Sequence, residues 1–422
     1  MKRTFFVIMF LCIACISNAA NINLNDCSQS TVQTSINSST DGDTIVCPAG
    51  SWTWGSRVSW PNKSVTLQGA GIDTTIISLL TQNIIEVQSS YTKSFRITGF
   101  TFKSLGNFGG DTGIMLIRGT GWRIDHNKFQ MYSNQCGYNG GSGIRINAGS
   151  TGVIDHNEFR NDKSRSTAGT HASIYISGPG DISWGWDSQI GTGNNTVFIE
   201  DNIFEETMLC TDHNSHAAYG GGGMIYVFRH NDVTGMNIDG HGFCSAIGTR
   251  EMEISNNKFR ATPSGLWAII QFRGGTGVVY NNIVESPYPS RGIYFREDRA
   301  PSASPSCTGI SNYNERVNQN IYGNWDCPSY EGWPCTDQVG RGKNQNSDPL
   351  YIWGNPNWPT NANDDPTYIQ AGRDYYINQG AKPGYVGYQY PNPLTGEPCI
   401  ENCGKGQTTS SIPNPPSQLQ VN

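Results

Sequence analysis

The sequence predicts an all-β chain folded as a single-stranded parallel β-helix, a solenoid with an N-terminal cap and a C-terminal wrapping segment. Three observations predict it. A short unit recurs in which an apolar strand ends on Asn and an apolar side chain follows two residues later. A second short strand, alternating apolar with polar or small residues, accompanies the units. The composition, with 50 Gly in 422 residues and only 15% charged residues, suits one long turn-rich β architecture.

Aligned on the Asn, the units read WRIDHNKF (Asn127), GVIDHNEF (Asn157), VFIEDNIF (Asn202), YVFRHNDV (Asn231), MEISNNKF (Asn257), VVYNNIV (Asn282) and NIYGNWD (Asn324). FRITGFTF, ending at Phe102, fits without the Asn. Successive anchors stand 30, 45, 29, 26, 25 and 42 residues apart, which leaves long insertions after Asn157 and Asn282. Self-similarity at this period means a solenoid, and alternation rather than helical periodicity makes it a β-helix. The second strands are GIMLIR (113–118), GIRINA (143–148), SIYISG (173–178), FCSAIG (243–248), IIQFRG (269–274) and GIYFRE (292–297). Asn tolerates the left-handed backbone of a turn, and stacked Asn amides can form a ladder. Phe129, Phe159, Phe204, Val233, Phe259 and Val284 should then stack inside the coil.

The ends read differently. Lys2 and Arg3 precede an apolar run from Phe5 to Ile16, and Ser17-Asn18-Ala19 offers a cleavage site, so residues 1–19 read as a signal peptide. The run is too short for an ordinary membrane span, and no later segment is apolar enough, so the mature chain is expected outside the cytoplasm, secreted or periplasmic. Loss of Lys2 and Arg3 takes the formal charge from −6 to −8. An acidic chain without a basic run argues against nucleic acid. Ten of twelve Cys remain, where disulfides persist. Local spacing suggests Cys27/Cys47, Cys327/Cys335 and Cys399/Cys403, and leaves Cys136, Cys210, Cys244 and Cys307 unassigned. Residues 21–54 read as a cap with a short helix around Val32 to Ile36, and the solenoid extends to about residue 330. Residues 331–404 should wrap it, with the aromatic stretch from Gly372 packing along one side, and 405–422 is a Ser/Thr/Pro-rich linker or tail.

The opening carries a resemblance. GDTIVCPAG (Gly42 to Gly50) and LQGAG followed by Thr and Ile (Leu67 to Ile77) resemble the first turns of the pectin-lyase-like family. That resemblance implies a right-handed parallel β-helix over roughly residues 21–330, and an activity on polysaccharide by lyase or polygalacturonase-type chemistry. NIDGHG (Asn237 to Gly242) is similar to the NxDG and GHG motifs of the polygalacturonases, but no Asp-Asp pair stands between the two and no Arg-Ile-Lys stretch follows. Ile124-Asp125-His126 and Ile154-Asp155-His156 resemble a stretch of the pectate lyases, yet both sit in the repeated turn, which points to a structural role.

Stacked coils set equivalent positions about 4.8 Å apart. Counting back from the anchors gathers Asp212, Asp239, His216 and His241 on neighbouring coils, with Trp267 one coil on and His171 and His213 close by. Three readings stay open: ordinary turn residues, a catalytic groove, or a metal site. Paired carboxylates could cleave a glycosidic bond by acid and base or nucleophile. Elimination from a uronate needs a base and cations against the carboxylate. The catalytic candidates are Asp212, Asp239, His216, His241 and Arg250. The substrate-holding candidates are His213, Trp267, Arg273, Arg145 and His171, with Trp184 and Trp186 in the first long insertion as sugar-stacking platforms. No metal-ligand spacing stands out, and Ca2+ is the one cofactor kept open. The expected function is cleavage of an acidic polysaccharide by a secreted monomer, the alternative being a non-catalytic adhesin, glycan-binding or matrix protein.

Overall fold

The computed structural model describes residues 19–87, 92–105, 113–131, 142–147, 150–161, 169–178, 196–206, 213–221, 223–240, 249–260, 266, 268–285, 291–296, 339–342, 346–364, 366 and 369–403. Three parallel sheets of twelve, ten and nine described strands run the length of a parallel β-helix. Each coil visits them in the same order. Thr196–Glu200 lies in the twelve-stranded sheet, Ile203–Glu206 in the nine-stranded sheet and His213–Gly221 in the ten-stranded sheet, and Ile225–Arg229 then returns to the first.

The turn between the first two of these strands is the repeated motif. Asn127, Asn157, Asn202, Asn231 and Asn257 each donate, from backbone N–H and side-chain amide, to the Oδ1 of the next anchor. Each amide also donates to a backbone carbonyl of the preceding coil. The expected ladder is therefore present and buried. The left-handed residue is not the Asn, however, but the one before it: His126, His156, Asp201, His230, Asn256 and Asn281 all have φ between 51° and 56°. The Asn faces inward, and its amide satisfies the turn's carbonyls from inside. Asn324 lies outside the described residues, and the rung that follows Asn282 is Asn355. Two residues past the anchors, Phe102, Phe129, Phe159 and Phe204 stack with centroids 4.9–5.6 Å apart, and Val233, Phe259 and Val284 continue the column in register.

At the N-terminal end, helix Gln29–Ser38 buries Val32 and Ile36, and the side chain of Ser28 caps it. The Cys27–Cys47 disulfide and the indole of Trp54, donating to Cys27 O at 2.9 Å, tie this cap to the first coils. Cys399–Cys403 is also bonded. Cys327, Cys335 and the four unassigned cysteines lie outside the described residues.

The C-terminal segment crosses the outer face of the twelve-stranded sheet. Tyr388 and Leu394 cover Val153, Phe198 and Val227. Beneath them Arg123 pairs with Asp155 and donates to Thr395 O, and Arg229 pairs with Glu200 and donates to the carbonyls of Tyr388 and Gln389. The Glu200 carboxylate accepts the N–H of Asn392. These charges are buried, so removing one partner strands the other. Arg229→Met should lower stability by about 3–5 kcal/mol, read as a drop in the denaturation midpoint and faster proteolysis after residue 381. A midpoint within experimental error of the wild type would contradict this.

The first coils hold a second such pairing. Burial works to raise the pKa of Asp125, but hydrogen bonds from Arg96 and His126 and the charge of Arg123 outweigh it, holding the carboxyl well below its ordinary value. A depressed folded-state pKa stabilises above the unfolded value of about 3.9, and that stabilisation is lost as pH falls below it. The melting temperature should thus fall from about pH 4 downward. The gap between wild type and Asp125→Asn should close over the same range. A gap constant with pH would exclude the Asp125 contribution.

Candidate active site on the ten-stranded sheet

Outward-facing residues of the ten-stranded sheet come into register coil by coil. Leu116 pairs with Arg145, Arg145 with Tyr175, Tyr175 with Tyr219, Tyr219 with Asp239, Asp239 with Gln271, and Gln271 with Tyr294. Their neighbours in the strands, such as Ile144, Ile146, Ile174, Ile176, Ile238, Ile270 and Phe272, are fully buried inside the coil. Strand alternation therefore puts these side chains on the opposite face of the sheet, where Arg145, Tyr175 and Tyr219 are part-exposed and Leu116, Asp239, Gln271 and Tyr294 are buried.

The row has a polar centre and cationic flanks. The guanidinium of Arg145 lies 4.6 Å over the ring of Tyr175, which stacks on Tyr219 at 5.0 Å. Next to Tyr219 comes the imidazole of His216, with ring centroids 5.2 Å apart. His216 Nε2 stands 4.0 Å from Asp239 Oδ2, and His216 Nδ1–H donates to Asn237 Oδ1. His216 and Asp239 are 2% and 1% exposed, so a charge taken up by the imidazole would act on Asp239 in a low dielectric. On the far side Arg273 follows Gln271 by two residues, and Arg291 lies 5.2 Å over the ring of Tyr294. The Tyr294 hydroxyl donates to Asp364, and burial with this partner pushes it up to about 12.

Among the residues singled out from the sequence, the structure brings His216 and Asp239 together and sets Arg145 and Arg273 along the same sheet. Arg250 is elsewhere: it is 1% exposed on the turn into strand Glu251–Ser255 of the twelve-stranded sheet, its carbonyl accepting from Thr276 N–H. His171 and His213 lie on strands Gly169–Ser177 and His213–Gly221, opposite Ser215 and Gly169 respectively. Asp212, His241, Trp267, Trp184 and Trp186 lie outside the described residues. The register itself differs from the one obtained by counting back. His216 pairs with Asn237, and Asp239 with Tyr219, because the connection between the ten- and twelve-stranded sheets varies in length. Asp239 stands 18 residues before its anchor whereas Tyr219 stands 12 before its own. FCSAIG likewise lies outside the described residues, and Asn237–Gly240 supplies that coil's described strand in this sheet.

Tyr175, Tyr219, Asn237, Gln271 and Tyr294 were not picked out from the sequence. A signal for most of them was present. Arg145 in IRI, Tyr175 in IYI, Asp239 in IDG, Gln271 in IQF and Tyr294 in IYF each follow an inward Ile, so the middle residue of each short strand marks the outer row. Ile124-Asp125-His126 and its repeat serve the twelve-stranded sheet and its turn, as structural residues. Among the described residues no group of three or more His, Cys, Asp or Glu could hold a metal ion, so no cation is assigned to the row. No helix among them is long and apolar enough to cross a membrane.

No protein-family model matches the chain, and no curated protein matches its sequence. Solved structures resemble it. One is the alginate lyase AlyF-OU02 in complex with G6, at 17% identity and a TM-score of 0.45, covering 66% of this chain and 58% of that one. Another is a PL6 alginate lyase in complex with a trisaccharide, at 14% and 0.39, covering 66% and 64%. The catalytic domain of a GH87 alpha-1,3-glucanase in complex with tetrasaccharides gives 11% and 0.42, covering 86% and 68%. The chain spans less than two thirds of the length of the two lyases.

Proposed function

We propose that the outer row of the ten-stranded sheet holds an acidic polysaccharide and cleaves it by β-elimination, in a protein that acts outside the cytoplasm as a monomer. The observation that carries this reading is the contact of His216 with Tyr219 and Asp239 on a face where Arg145 and Arg273 stand to either side. Elimination next to a uronate carboxylate needs a base for the proton on the adjacent carbon, a donor for the departing oxygen, and positive charge to hold the carboxylate. His216 Nε2 takes the proton. The electron pair forms the new carbon–carbon double bond as the bond to the glycosidic oxygen breaks, and Tyr219 returns a proton to that oxygen. Arg145 and Arg273 hold the carboxylates of the chain, and the stacked rings of Tyr175 and Tyr219 give a sugar a flat surface. Asp239 stabilises the imidazolium that forms. Hydrolysis by two carboxylates would require a partner for Asp239 about 5–9 Å away, and its sequence candidate is Asp212.

A panel of uronate-containing and neutral polysaccharides separates the outcomes. Growth of the ultraviolet absorbance of an unsaturated uronate is the expected result. New reducing ends without that absorbance would replace elimination by hydrolysis. Retention of one glycan with no product would make the row a binding surface, the favoured role being then that of a glycan-binding matrix protein.

A further inference from the structure

We infer that Asn237 is a positioning residue, holding the imidazole of His216 by its Nδ1–H so that Nε2 is the nitrogen presented to Asp239 and to the row. The inference deepens the lyase reading and rests on it for its catalytic consequence.

Its basis is a slip in the sheet. Strand His213–Gly221 pairs with Asn237–Gly240 through His216 with Asn237 and then Ala218 with Ile238, so one residue more is used on the first strand than on the second. Ile238 and Ala218 face inward and are fully buried. Strict alternation from Ala218 would turn Ala217 outward and His216 inward. Instead Ala217 is fully buried, and His216 shares the face of Tyr219 and Asp239. A bulge of this kind re-aims a side chain, and such bulges are concentrated beside active sites.

A re-aimed imidazole must still be held in one orientation. His216 and Asn237 are 2% and 1% exposed, so the hydrogen bond between them is little shared with water. A neutral imidazole carries one N–H. Placing it on Nδ1 leaves Nε2 as the acceptor, and Nε2 is the atom 4.0 Å from Asp239 Oδ2. An amide holds this tautomer without adding a charge. Among the described residues, the titratable groups near the ring include Asp239 from the Asn237 strand and Tyr219 from its own, with Tyr175 behind Tyr219, and Glu206 accepting from the adjacent Ser215 hydroxyl at 3.0 Å.

Nitrogen-15 NMR of the full-length protein tests the assignment without any substrate, the His216 signals being identified by their loss in His216→Gln. The expected spectrum shows a protonated Nδ1 near neutral pH, and Asn237→Ala abolishes that preference. In the same variant kcat falls on the order of 10²-fold while KM changes little. Asn237→Asp has the same shape and keeps the Nδ1–H bond, and its added charge moves the titration of the ring to higher pH while much of the turnover is retained. That variant decides the matter if Asn237→Ala does not fold. A bare Nδ1 in the wild type, an unmoved titration in Asn237→Asp, or full turnover in a folded Asn237→Ala overturns the inference. A wild type that shows the Nδ1–H yet cleaves no polysaccharide supports the contact and tells against the lyase reading alone.

Discussion

Asn202→Ala is expected to lower the stability of the solenoid by about 3–5 kcal/mol, far more than loss of one average hydrogen bond. The Asn202 amide donates to Ile154 O, Glu200 O and Asn231 Oδ1, and its Oδ1 accepts from the N–H and the amide of Asn157. Its side chain is 1% exposed, so water does not replace these partners in the truncated protein. The Asn157 N–H and the Ile154 carbonyl would lose this partner, at about 1–3 kcal/mol for each group left buried and unsatisfied, whereas Glu200 O keeps the N–H of His156 at 3.3 Å. The neighbouring column offers an internal control. Asn256 takes the left-handed turn position one residue before its anchor, and Gly there should be nearly neutral because φ is 56°. Urea denaturation of the two variants measures the contrast. A loss below about 1 kcal/mol for Asn202→Ala would mean that the ladder is incidental and that the Phe column alone holds the coils in register.

His216→Gln is expected to reduce kcat/KM on the cleaved polysaccharide by about 10²–10⁴-fold with the melting temperature nearly unchanged. Gln can keep a hydrogen bond to Asn237 and fill much of the same space, so the fold should tolerate it. It cannot take a proton. Tyr219→Phe is the complementary variant: it keeps the ring that stacks on Tyr175 but removes the hydroxyl proposed to protonate the leaving oxygen. Product formation at the wild-type rate in His216→Gln would remove the imidazole from the mechanism. In that event residues of the connection that precedes strand His213–Gly221 would become the place to search.

The two predictions rest on parts of the molecule that differ in how much the sequence disclosed. The ladder and the Phe column were legible because each anchor closes a two-residue turn and its apolar partner follows two residues later, in the next strand. Spacing that short survives any insertion elsewhere in the coil. Even there the sequence misassigned one role: the left-handed residue is His126, His156, Asp201, His230, Asn256 or Asn281, and the Asn beside it is the inward rung. An Asn favours both roles, and only the direction of its side chain separates them.

The outer row was legible in part. Arg145 and Arg273 stood in recognisable strand segments, whereas His216 and Asp239 stood in stretches read as loops that proved to be strands. Arg250 could not be distinguished from them by sequence, because a turn Arg that is buried and one that meets substrate have the same neighbours in the chain.

By itself, then, the sequence determined the repeat, the parallel solenoid, the inward columns, the cap, and a C-terminal segment rich in Tyr. All of these depend on local alternation and on contacts between residues at a fixed short spacing. The tertiary structure decided which outward residues meet. The connections from the ten- to the twelve-stranded sheet vary in length, so a count along the chain drifts from coil to coil, whereas the hydrogen-bonded register does not. One slipped pair, His216 opposite Asn237, is what turns an imidazole onto the face where Tyr219 and Asp239 already stand.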